Sequence, residues 1–140
     1  MKRISADSGT VFVPAAELVE EFLRSGTAVR FRVTGTSMHP AILAGDVVTA
    51  APCPADRIRR GQVICFRHEE EMRVHRVISA APNALRAKGD AVNEFAEDIR
   101  PQNVLGVITS VEREGRRVSF SPPFRRFTSV LRGFFRKMKN

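Results

Sequence analysis

QVICFRHEEEMRVHRVIS, residues 62–79, holds two of the runs that decide the fold class. QVICF (62–66) and MRVHRVIS (72–79) are short and rich in Val, Ile and Phe, the residues that fit a pleated surface. Similar runs lie on both sides: AVRFRV (28–33), DVVTA (46–50), ALRAKG (84–89), VLGVITSVE (104–112) and RVSFS (117–121). Turn pairs separate them at Gly45-Asp46, Arg60-Gly61, Pro82-Asn83, Gly89-Asp90 and Glu114-Gly115. Short strands joined by tight turns predict mostly antiparallel pairing, so the expected class is mainly β, a coiled, barrel-like antiparallel domain over residues 28–121.

Upstream, residues 1–27 form an N-terminal helical segment. Pro14 starts it, Ala15, Leu18, Val19, Phe22 and Leu23 share one face, and Gly26 stands at the stop. Downstream, Pro122-Pro123 opens a tail, residues 122–140. There Phe124, Phe127, Val130, Leu131, Phe134, Phe135 and Met138 recur at steps of three and four, with Arg125, Arg126, Arg132, Arg136, Lys137 and Lys139 between them. That pattern predicts a basic amphipathic helix able to lie on an anionic membrane surface.

The 140 residues include 23 Lys and Arg against 15 Asp and Glu, a net charge of +8 that favours an anionic partner. Nucleic acid is not expected, because no stacking aromatics alternate with base-reading polar side chains. Cys53 and Cys65 fit no CxxC or Cys/His ligand spacing, so buried free thiols are expected, with no metal site and no cofactor. Asp7, Glu17, Glu20, Glu21 and Arg24 interrupt the apolar positions of the N-terminal stretch. Neither a signal peptide nor a membrane anchor is read there. The expected location is cytoplasmic, with the tail on the inner face of the membrane.

Three stretches can carry chemistry. In VTGTSMHPAILAGDVV (33–48), Ser37 follows a Gly-containing turn and precedes Pro40. A hydroxyl there can be held exposed beside backbone N–H groups, although a turn serine by itself is an ordinary hydrogen-bonding residue. His75 sits within a strand pattern that sends Arg73, His75 and Val77 to one face. RAKGDAVNEFAED (86–98) supplies Asp90 and Asp98, and a carboxylate beside an imidazole fixes its tautomer and stabilises its protonated form.

Taken in order, these segments resemble type I signal peptidases of the LexA/signal peptidase superfamily. Ser37, Met38, Pro40, Gly45 and Asp46 resemble the serine box. RRGQVICFR resembles the strand after it, VHRVI the box of the general base, KGDAVNEFAED the Lys-Gly-Asp-x-x-Asn box and VLGVITSVE the closing strand. A His at the base position resembles the archaeal, endoplasmic-reticulum and sporulation-type enzymes rather than those with Lys.

The resemblance implies a serine endopeptidase that cuts an extended peptide or preprotein after a small residue. In it Ser37 is the nucleophile, His75 the base, and Asp90 or Asp98 orients His75. In the His subtype the second acidic residue follows the first by six positions. Here that place is Ala96, followed by Glu97 and Asp98, so both aspartates stay candidates. Ser37, Met38 and Gly35 are the expected oxyanion and substrate-binding residues, and Gly35 has no hydroxyl to donate. The alternative is a catalytically silent peptide-binding or regulatory domain of the same fold.

Overall fold

QVICF has no polar alternation, and a strand of that kind needs cover on both faces. In the computed structural model, which describes residues 10–121, it becomes β4 (Val63–His68), lying between β5 (Glu71–Ala81) and β8 (Val104–Arg113). Val63 and Cys65 enter one apolar cluster, while Ile64 and Phe66 enter a second. All four are fully buried, and burying each large side chain is worth about 1.5–3 kcal/mol. The two faces of β4 are therefore the floors of two cores.

Around this centre stand β1 (Val11–Phe12), β2 (Val29–Arg32), β3 (Val47–Pro52), β6 (Ala84–Lys88), β7 (Glu97–Ile99) and β9 (Arg116–Val118). One sheet holds them in the order β1-β2-β3-β8-β4-β5-β6-β7, with β9 paired to β8. The mainly β expectation holds, but the sheet is mixed and open. β1 runs parallel to β2, and the sheet does not close into a barrel. Register shifts at Thr49/Ala50, Cys65/Phe66 and Val77/Ser79 add the local twist that lets an open sheet enclose two cores.

The turns follow backbone chemistry. Asn83, between β5 and β6, has φ 65°, a left-handed value that Asn tolerates better than most residues. Between β8 and β9 both Glu114 (φ 53°) and Gly115 (φ 77°) are left-handed, as a tight two-residue hairpin requires.

The predicted helix is α1 (Ala16–Arg24). Val19 and Leu23 join the first core, with Phe22 packed against it, while Leu18 is exposed at the edge of the apolar stripe. Glu20 ties the helix to the sheet by accepting from Arg67 at 2.7 Å. Cys65 is a buried free thiol that burial pushes up to about 12, whereas Cys53 is only half-buried. Among the described residues no helix is long and apolar enough to cross a membrane. The amphipathic pattern of residues 122–140 lies outside the described residues.

Candidate active site

The Ser37 loop leaves β2 and returns at β3, and its ends are sewn together. Val33 N–H donates to the Asp46 carbonyl at 2.8 Å, and Gly45 N–H to the Val33 carbonyl at 2.7 Å. Asp46, only 2% exposed, accepts from Leu43 N–H at 2.8 Å and from Arg113 Nε and Nη2 at 2.9 and 2.8 Å. Burial opposes ionisation of this carboxyl, but the Arg113 and Leu43 hydrogen bonds outweigh it and hold the group below the usual range. Met38 points down into the first core at 1% exposure, which leaves Ser37 half-buried above it.

On the facing strand, His75 pairs with Ile64 of β4, and its ring stands edge-on to Phe66 with centroids 5.7 Å apart. Its side chain is 5% exposed. Nε2 lies 3.1 Å from Ser37 Oγ. Two segments separated in sequence thus meet at hydrogen-bonding distance, as a nucleophile and its base require.

The carboxylate at the other side of the imidazole is Glu97, not Asp90 or Asp98. Glu97 Oε1 lies 2.6 Å from His75 Nδ1. Both atoms are shut off from solvent, and they lie in close contact without the alignment of a hydrogen bond. Glu97 Oε2 accepts from Arg73 Nη1 and lies 3.3 Å from His68 Nδ1. Arg73 holds its charge more firmly than usual: burial works against it, and Glu97 and Glu71 outweigh that.

Both aspartates are used elsewhere. Asp90 accepts from Arg76 Nε at 2.9 Å and Nη2 at 2.8 Å, and each side chain of the pair is 7% exposed. Arg76 also donates to the carbonyls of Gly61 and Phe120 at 2.8 and 2.6 Å. A cation buried this deeply requires a carboxylate, and Asp90 supplies it. Asp98 pairs with Arg86 at 3.0 Å on the surface, where its side chain is 88% exposed. Strand alternation sends Glu97 inward and Asp98 outward.

A signal for Glu97 was present. Ile99 is apolar, two residues on, and buried, so the 97/99 side of β7 is the inner one. Only the pairing of Ala87 with Glu97 brings that side to His75.

Gly89 performs the last positioning step. A Cβ there would lie 2.4 Å from the Ser37 carbonyl oxygen and 2.7 Å from Glu94 Cγ. Without one, the loop packs flush, and Ala91 N–H donates to the Ser37 carbonyl at 2.9 Å. Beside these residues opens a groove of about 720 Å3 whose walls include Val13, Phe31, Ser37, Met72, Val74 and His75. Gly35 and Met38 also line it, although Met38 serves mainly as the loop's anchor in the core. Among the described residues, the Ser37 and Met38 N–H groups donate to no other group.

Residues 4–88 match the family described as Peptidase S24-like. The match includes Ser37 and His75 and ends before Asp90, Glu94 and Glu97. No curated protein matches the chain.

Proposed function

The chain belongs to the Peptidase S24-like family, and on that premise we propose that it is a serine endopeptidase in which Ser37 attacks, His75 is the general base and Glu97 orients His75. One observation carries the reading: Glu97 Oε1, His75 Nδ1, His75 Nε2 and Ser37 Oγ follow one another at 2.6 and 3.1 Å beside an open groove. The family match supports a peptidase.

The chemistry follows from the contacts. Glu97 at Nδ1 favours the tautomer that carries its proton there, so Nε2 presents a lone pair to Ser37. As Oγ bonds to a peptide carbonyl carbon, its proton passes to Nε2, and Glu97 stabilises the imidazolium that results. The free N–H groups of Ser37 and Met38 are candidates to receive the oxyanion. The Nε2 proton then goes to the leaving amine as the C–N bond breaks, and water, activated by the same imidazole, releases the acyl group. The groove offers a peptide both apolar walls, from Val13, Phe31, Met72 and Val74, and charged ones, from Arg32, Glu71 and Arg73, and the resemblance to His-base signal peptidases adds a small residue before the cut bond.

The test is mass spectrometry of peptides incubated with the full chain and its variants. Ser37→Ala and His75→Ala should abolish cleavage with unchanged melting behaviour. Glu97→Gln should lower kcat by about 10²- to 10⁴-fold. Full activity in either of the first two variants overturns the assignment. Peptide binding by the wild type with no phosphonylation of Ser37 by a fluorophosphonate would instead favour the silent binding domain.

A further inference from the structure

A second carboxylate reaches the imidazole from the loop between β6 and β7. Glu94 Oε1 lies 3.7 Å from His75 Nε2, the nitrogen that also faces Ser37 Oγ at 3.1 Å. Glu94 lines the groove, its side chain is 32% exposed, and its one ionic neighbour among the described residues is His75. Its placement is built into the backbone. Glu94 N–H donates to the Ala91 carbonyl at 3.2 Å, and the missing side chain of Gly89 lets Glu94 Cγ and the Ser37 carbonyl approach the same spot.

We propose that Glu94 is a positioning residue that competes with Ser37 for Nε2, holding His75 in its protonated form and so setting the lower pH limit of the reaction. This rests on the Ser37/His75 reading above. A neutral imidazole offers Nε2 to Ser37. A protonated one lies between two carboxylates, with Glu97 at Nδ1 and Glu94 at Nε2, and its Nε2–H then has an acceptor other than a leaving amine. The remaining neighbours do not cancel this effect. Phe66 of β4 presents an uncharged ring, and Arg73 of β5 and His68 of β4 both face Glu97. From the β6–β7 loop, Asp90 is held by Arg76.

Within the catalytic cycle, Glu94 acts through its charge, 3.7 Å from Nε2, and exchanges no proton. Ser37 Oγ–H still gives its proton to Nε2, and the amine still removes it. Glu94 acts in the interval, and at acid pH it extends the time His75 spends unable to accept.

Glu94→Gln in the full chain tests this, because it keeps the shape and removes the charge. kcat/KM for peptide cleavage and the rate of fluorophosphonate labelling at Ser37 are measured from pH 4.5 to 8.5. The acid limb of both profiles should move down by about one pH unit, so that the ratio of variant to wild type climbs as the pH falls. Glu94→Asp, which retains a charge, should shift it less. A ratio that is constant across the pH range, as a purely structural role would give, overturns the proposal. Failure of the wild type to label at any pH would overturn the Ser37/His75 reading itself, and this inference with it.

Discussion

Asp90 and Glu97 come from the same short stretch of chain and end in opposite employment. Asp90 follows the glycine that touches the Ser37 loop, yet its two oxygens are taken by Arg76. Glu97 lies seven residues further along the chain, on a three-residue edge strand, and it is the carboxylate that faces His75. The other Gly-Asp turn repeats the first pattern, since Asp46 is held bidentately by Arg113. A carboxylate clamped by a guanidinium on both oxygens is a structural rivet. One that shares its second oxygen and leaves the first toward an imidazole can respond to the charge of that ring.

This contrast can be broken by exchanging roles. The largest effect on stability is expected for Asp90→Ala, which leaves Arg76 buried without its partner. Chemical denaturation should show a loss of about 3–5 kcal/mol, against a loss below about 1 kcal/mol for Glu97→Gln. Equal losses would erase the distinction between rivet and responder.

Arg113→Ala sharpens the comparison through pH. The Asp46 carboxyl is held below its ordinary value in the fold, so its contribution is present above the unfolded value of about 3.9. It is lost as pH falls through the lower, folded value. Because Arg113 is about one-third exposed at 34%, the substitution should cost only about 1–2 kcal/mol at pH 7. Thermal melts should show the gap between variant and wild type closing below about pH 4. A gap independent of pH would show that Arg113 acts by packing alone. The smallest effect belongs to Asp98→Asn, expected to change stability by less than about 0.5 kcal/mol and to leave cleavage at the wild-type rate.

Much of the site was legible as residue types in order. The Ser37 loop carries its own signals, namely a glycine turn and a Gly-Asp closure, whereas the burial of Met38, expected among the substrate-binding residues, came only with the fold. His75 lies in a strand whose alternation assigns its face. Glu97 escaped because the expected spacing fell on Ala96 and the expected residue type was aspartate. Spacing along a chain does not say which side of a three-residue strand faces inward, and that choice depends on the pairing of β7 with β6. Leu18 shows the same limit on a helix: it fits the apolar stripe but lies exposed at its edge, because the side packed on the core is that of Val19, Phe22 and Leu23.

The amino-acid sequence by itself determined the mainly β class, the short helix before it, the positions of most turns, and the pairing of a serine with a histidine. The first three follow from local chemistry, β-branched runs and glycine and asparagine at left-handed positions, whereas the serine–histidine pairing came from the resemblance of the ordered segments to a known family. Only the tertiary structure decided that the sheet stays open, that Asp90 belongs to Arg76, and that Glu97 and Glu94 stand on opposite sides of His75. Those outcomes depend on strand register and on the close approach at Gly89, where elements far apart in the chain compete for the same few ångströms.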